Sequence, residues 1–90
     1  MGRERELMAI EVVLYTRPGC HLCDDARDAL AALRDEGPRF ELREVDIERD
    51  DRLLAAYMER IPVVEIAGQA VSELALDAHA VRSRLDTVAA

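Results

Sequence analysis

Two cysteines separated by two residues, Cys20 and Cys23, are the side chains in this sequence best suited to chemistry, and the chain has no other cysteine. Side chains three apart on a helical turn lie close enough for a disulfide to form with little backbone movement. In thiol–disulfide exchange, an exposed thiolate attacks a substrate disulfide and a second thiol displaces the product. The spacing therefore predicts a redox pair in which Cys20 is the nucleophile and Cys23 the resolving thiol.

The surrounding pattern places this pair where a strand gives way to a helix. Residues 10–15 form a short apolar run typical of a buried strand, residues 16–19 (TRPG) break it, and apolar residues recur at helical spacing over residues 21–36. Cys20 should then lie at a helix N-terminus, where unpaired N–H groups and the helix dipole stabilise an anion. We expect a thiol pKa below the reference value of ~8.5.

Two neighbours could strengthen this effect. Arg17 stands three residues before Cys20, and His21 follows it directly. A guanidinium, or a protonated imidazole, favours the thiolate by its charge. Each side chain could equally be an ordinary solvated surface group.

Other uses of the two cysteines remain open. Both thiols could be small buried hydrophobes, and a lone Cys-x-x-Cys motif is only moderately specific. Structural zinc needs four ligands as a rule, and His21 and the distant His79 do not complete such a set, so we expect no metal site within one chain. A metal or iron–sulfur centre shared between two chains is an alternative.

The rest of the chain predicts a small α/β domain. Beyond the first helix, the pattern predicts a strand through residues 40–47 and a helix that begins within residues 48–51. A strand at 63–66 and a turn at 67–69 follow, and the turn leads into a strand through Ala70, Val71 and Leu74. Asp77 is predicted to cap a last helix. Leu22 belongs to the apolar stripe of the first helix, and we expect Tyr57 and Met58 in the core. The order β-α-β-α-β-β-α predicts a mixed four-stranded sheet with three helices on its two faces.

Composition narrows the class of partner. The net charge is −7, and all 12 basic residues are Arg, so we expect no nucleic-acid partner. No stretch approaches the ~20 apolar residues that cross a bilayer, so we expect a soluble, cytoplasmic protein with no membrane partner. We also expect a monomer, with a flexible tail at residues 1–9 and one domain at residues 10–90.

Three segments resemble the small glutaredoxin-like proteins of the thioredoxin-like superfamily. Residues 12–23 (VVLYTRPGCHLC) are similar to that family's active-site entry, residues 44–47 (EVDI) to its second strand, and residues 60–64 (RIPVV) to the loop and strand that carry its cis-proline. The resemblance implies a thioredoxin-like fold and a disulfide reductase or oxidoreductase. It also implies that the backbone of Ile61, with Pro62, meets the bound substrate beside Cys20.

The family also implies partners. Its substrates are disulfide-containing proteins or small thiols, and its electron donors are glutathione or thioredoxin reductase. We expect no bound cofactor in this chain, and Arg17 matches the basic residue with which the family helps to hold glutathione as a reducing co-substrate. Residues 72–75 (SELA), however, lack the glycines with which typical members bind glutathione. A non-enzymatic binding module that uses the region of Ile61 and Pro62 is therefore a further alternative.

Overall fold

The computed structural model describes residues 10–90, so the tail predicted at residues 1–9 lies outside the described part. The elements in chain order are β1 (Ile10–Thr16), α1 (His21–Glu36), β2 (Phe40–Asp46), a 3-10 turn (Ile47–Arg49), α2 (Asp51–Tyr57), β3 (Val63–Ile66), β4 (Gln69–Glu73) and α3 (Ala78–Ala89). This order confirms the predicted β-α-β-α-β-β-α arrangement. No helix within residues 10–90 is long and apolar enough to span a membrane.

The four strands form one mixed sheet in the order β2-β1-β3-β4. β1 and β2 are parallel, β3 is antiparallel to β1, and β4 is antiparallel to β3. The carboxyl ends of β1 and β2 therefore share one edge of the sheet with the amino end of β3. This edge brings the segment that leaves β1 towards Cys20 next to the segment that enters β3 through Pro62.

Helices cover both faces of the sheet, because successive side chains of β1 point to opposite faces and both faces carry apolar residues. On one face, Val12 and Leu14 pack with apolar residues of α1 and α3, including Leu30 and Leu85. On the other face, Tyr15 packs with Ile47 and with the apolar side of α2. The sequence-based assignment of the fold is confirmed.

The turn between β3 and β4 is two residues long. Ala67 and Gly68 both have positive φ, at 50° and 81°, which is the pattern of the hairpin turns whose twist matches that of the strands. Glycine adopts this conformation at no steric cost. The predicted tight turn at residues 67–69 is thus confirmed.

Several local predictions are wrong, and each lies at the end of an element. Leu22 is 45% exposed, because it occupies the second position of α1, and Met58 is 49% exposed, because it caps the C-terminus of α2. Leu74 lies one residue beyond β4, with a φ of 58° and half of its surface exposed. Ile47 lies beyond the end of β2, where it is the buried first residue of the 3-10 turn.

Candidate active site

Cys20 and Cys23 lie at the N-terminus of α1 and are joined by a disulfide bond, with their Cα atoms 5.2 Å apart. Cys20 is the residue that caps the helix, in an extended conformation, and Cys23 lies in the first turn. Their exposures differ, since Cys20 is partly exposed whereas only 1% of Cys23 is accessible. Of the two cysteines, Cys20 is therefore the one that faces solvent.

The helix N-terminus acts on Cys20 directly. The backbone N–H of Cys23 donates to the Sγ atom of Cys20 at 3.1 Å, and the N–H of Asp24 donates to the Cys20 carbonyl oxygen at 3.2 Å. N–H groups in the first turn of a helix have no intrahelical acceptor, so a sulfur anion at this position satisfies one of them and lies at the positive end of the dipole. This arrangement favours the thiolate when the disulfide is reduced.

Ile61, which directly precedes Pro62, packs in the apolar cluster of the cysteine pair. Ile61 belongs to the same apolar cluster as Cys23 and Ile47, against which Cys20 also packs. The peptide bond between Ile61 and Pro62 is cis, and both residues are buried. The structure thus brings together four of the six residues selected from the sequence.

The other two selected residues, Arg17 and His21, are close to Cys20 in the chain and lie at the surface. Arg17 forms an ion pair with Glu48 in the 3-10 turn, in which its Nε and Nη2 atoms donate to one carboxylate oxygen at 3.1 Å and 2.6 Å. His21, the first residue of α1, is exposed to solvent. The guanidinium of Arg17 is therefore already neutralised within the chain.

Arg60 and Glu73 form a second ion pair, which was not predicted from the sequence. Arg60 directly precedes Ile61, and its Nη2 atom lies 2.5 Å from Oε2 of Glu73 at the end of β4. The hydrogen bond from Arg60 holds the pKa of the Glu73 carboxyl below its ordinary value. The N–H of Leu74 also donates to the Arg60 carbonyl oxygen at 3.0 Å, so backbone and side chain both tie the segment before Pro62 to the end of β4.

A third group that was not predicted lies on the face covered by α2. The rings of Tyr15 and Tyr57 stack with centroids 4.6 Å apart, and their hydroxyls donate to the two carboxylate oxygens of Glu65 at 3.1 Å and 3.2 Å. Burial, together with the Glu65 hydrogen bond and charge, raises the pKa of Tyr15 to about 12. Burial beside the same carboxylate raises the pKa of Tyr57.

Only one of these additional residues had a local signal, the place of Arg60 next to Ile61. Glu48, Glu65 and Glu73 meet partners that lie 31, 50 and 13 positions away in the chain. Contacts between such distant positions depend on the packing of the sheet. No local pattern of residue types reveals them.

Neither a group of metal ligands nor a cavity marks the cysteine pair within residues 10–90. Within residues 10–90, no three His, Cys, Asp or Glu side chains are grouped so as to hold a metal ion. An open groove of about 620 Å³ lies beside Ile10 and Ala67, at the end of the sheet opposite the disulfide. The cysteine pair therefore belongs to a surface site at the sheet edge, and chemistry rather than cavity size identifies it.

Comparison with known proteins identifies the family of the chain. The family described as "Glutaredoxin-like domain (DUF836)" matches residues 11–86. A structural-genomics target protein from X. campestris is 36% identical, with a TM-score of 0.70 over 84% of this chain and 96% of its own. A protein from Nitrosomonas europaea is 27% identical, with a TM-score of 0.76 over 84% and 91%.

More distant similarity concerns the fold alone. A mutant thioredoxin from Halobacterium salinarum is 16% identical, with a TM-score of 0.64 over 90% of this chain and 75% of its own. No curated protein matches the sequence. The fold is therefore thioredoxin-like, and the specific similarity is to glutaredoxin-like domains.

Proposed function

The chain belongs to the family of glutaredoxin-like domains, and from that premise we propose that it is a thiol–disulfide oxidoreductase with Cys20 as nucleophile and Cys23 as resolving thiol. The observation that carries this proposal is the asymmetry of the pair. Cys20 is accessible and caps a helix, while Cys23 is 1% exposed one turn further on. A nucleophile must reach its substrate, whereas a resolving thiol only has to reach its partner.

The reaction takes two displacement steps. The Cys20 thiolate attacks one sulfur of a substrate disulfide, which forms a mixed disulfide and releases the other substrate sulfur as a thiolate. Cys23 then gives up its proton and attacks the Sγ atom of Cys20, which forms the Cys20–Cys23 disulfide and releases the second substrate thiolate. The substrate gains the two electrons that the protein loses, and the two released thiolates take up the proton of Cys23 and one proton from solvent.

We assign the substrate contact to the segment that enters β3. Ile61 packs in the cluster that includes both cysteines, and its N–H already donates to the Tyr57 carbonyl oxygen at 3.1 Å. A substrate backbone would therefore meet the carbonyl oxygen of Ile61, with Pro62 behind it. His21 would act only by its charge when protonated, since its side chain lies in solvent at the start of α1.

Partners follow from the same chemistry. Each turnover needs two electrons from outside, and the proposed donors are glutathione or thioredoxin reductase, with no bound cofactor. The proposed substrates are disulfides of proteins or of small thiols. A reduced dithiol of this kind works in a reducing compartment, so we propose the cytoplasm, and the cycle as written needs only a monomer.

The test is a coupled reduction assay with a peptide disulfide as substrate. One arm supplies glutathione with its reductase and the other supplies thioredoxin reductase, and NADPH consumption is followed in both. We expect turnover in at least one arm, and none in Cys20→Ser. If neither arm shows turnover, and dithiothreitol reduces the substrate no faster with the protein than without it, the proposal is wrong.

A further inference from the structure

Both arginines that flank the disulfide are neutralised by glutamates of the same chain. Arg17, three residues before Cys20, donates twice to Glu48. Arg60, next to Ile61, donates to Glu73. These four side chains are between 37% and 44% exposed, so the two ion pairs form part of the surface that an incoming substrate meets.

The position of Glu48 follows from the backbone around it. Asp46 caps the 3-10 turn by accepting the N–H of Glu48 at 2.9 Å, which fixes that residue just beyond the carboxyl end of β2. Thr16 and Asp46 are partners in the register of the parallel strands, so Arg17 and Glu48 leave the same edge of the sheet side by side. The pair is therefore built into the edge that carries Cys20.

The position of Glu73 follows from the pairing of β3 with β4. Glu73 is the register partner of Val63, two residues after Ile61. The Arg60 guanidinium is further held over the ring of Tyr57, 5.1 Å from its centroid. Both cations thus have a fixed carboxylate partner.

An ion pair attracts a third charge far less than a free cation does. A carboxylate that approaches Arg17 also approaches Glu48, and the repulsion offsets most of the attraction. The net charge of −7 adds a repulsion of the same sign at longer range. A thiol that carries carboxylates, such as glutathione, gains little electrostatic attraction at this site.

We propose that Glu48 and Glu73 are specificity-determining residues that disfavour anionic thiols, so that the preferred substrates are disulfides with neutral or cationic groups near the sulfur, as in protein segments. This inference rests on the proposed function and names its substrate class. The segment at residues 72–75 fits this inference: it lacks the glycines with which typical members bind glutathione, and it carries the negatively charged Glu73.

The test uses three small thiols that differ in charge: glutathione is anionic, 2-mercaptoethanol is neutral and cysteamine is cationic. Each reduces the Cys20–Cys23 disulfide of the oxidised full chain, and acid quenching with alkylation and mass spectrometry gives the rate. Each rate is divided by the rate of the same thiol with a linear model disulfide, which removes its intrinsic nucleophilicity. We expect the normalised rates to rise from glutathione to 2-mercaptoethanol to cysteamine.

Removing one carboxylate should shift this order. In Glu48→Gln, and separately in Glu73→Gln, we expect the glutathione rate to rise by up to about fivefold relative to that of 2-mercaptoethanol, because the loss of one exposed carboxylate has a modest electrostatic effect. Arg17→Ala added to Glu48→Gln should cancel its gain. A change in the pKa of Cys20 acts on all three thiols alike, so it does not alter the ratio.

Glu11→Gln is the matched control. Glu11 is an exposed acid that pairs with Arg43, and it stands five residues before Thr16 on β1, about 17 Å from the site edge. The control makes the same change in net charge and should leave the ratio unaltered. If the rate ratios of Glu48→Gln and Glu73→Gln match that of this control, the inference is overturned. If none of the three thiols reduces the wild-type disulfide faster than it reduces the model disulfide, the proposed function is overturned instead.

Discussion

The backbone N–H of Cys23 donates to the Sγ atom of Cys20 across 3.1 Å, at the first turn of α1. This relationship makes the resolving residue part of the environment that activates the nucleophile. It depends on Cys20 being the capping residue, because only there does a side chain accept from the unpaired N–H groups of the turn that follows. The spacing of two residues between the cysteines therefore serves both the disulfide and the thiolate.

The first prediction concerns the acidity of Cys20. In the reduced protein we expect its thiol pKa to lie below the ordinary thiol value of ~8.5, because the helix N-terminus stabilises the anion. The pH dependence of iodoacetamide labelling, with the modified residue identified by mass spectrometry, measures it. Cys23 should label more slowly, because it is buried. A labelling midpoint for Cys20 at or above the ordinary thiol pKa of ~8.5 would show that the helix terminus does not activate it.

The second prediction concerns the two tyrosines. The chain has no Trp, so ultraviolet absorbance reports the ionisation of Tyr15 and Tyr57 alone. In the folded protein we expect the pKa of Tyr15 to be near 12 and the pKa of Tyr57 to be raised, whereas in urea both should titrate at ~10. The folded state holds these protons more tightly, so the resulting stability is present below pH 10 and is lost as the pH rises towards 12.

Glu65→Gln separates the causes of that shift. Burial is the largest cause and the carboxylate adds to it, so the pKa of Tyr15 should fall only part of the way towards 10. A pKa of 10 in the wild-type folded protein would contradict the packing of this cluster. An unchanged pKa in Glu65→Gln would contradict the role given to the carboxylate.

The third prediction concerns Leu74, which has a φ of 58° and half of its surface exposed. A non-glycine residue in this conformation costs about 1–2 kcal/mol, and glycine adds about 0.5–1 kcal/mol of unfolded-state entropy. Leu74→Gly should therefore raise the free energy of unfolding by about 0.5 kcal/mol, as measured by urea denaturation. Leu74→Ala keeps the strain and should bring no such gain. Equal stabilities of the two variants would show that the backbone at residue 74 is not strained.

Leu74 also shows that residue type alone does not determine backbone conformation. Residues 72–75 lack the glycines with which typical glutaredoxins bind glutathione. The structure has the positive φ that favours glycine, but a leucine adopts it, supported by the hydrogen bond to Arg60. Backbone conformation at one residue depends on its tertiary contacts, and residue type sets only a preference.

The elements themselves were predictable for physical reasons. The apolar run of β1, the helical stripe of α1 and the cap at Asp77 are local patterns that also match the final packing. The failures at Leu22 and Met58 occur at helix ends, where a position can satisfy the periodicity and still extend past the sheet. Of the site, sequence located the cysteines and the Ile61–Pro62 segment. It could not locate Glu48 or Glu73, because only the register of the strands brings them to the arginines.

Trapping of a mixed disulfide distinguishes the nucleophile from the resolving thiol without reference to any particular electron donor. Reduced Cys23→Ser and reduced Cys20→Ser are each mixed with a peptide disulfide and analysed by mass spectrometry after acid quenching. We expect Cys23→Ser to accumulate a peptide adduct on Cys20, because no resolving thiol releases it, and Cys20→Ser to form none over the same time, because Cys23 is 1% exposed. An adduct on Cys23 that forms as fast as the adduct on Cys20, or no adduct in either variant, would contradict the roles assigned to the two thiols.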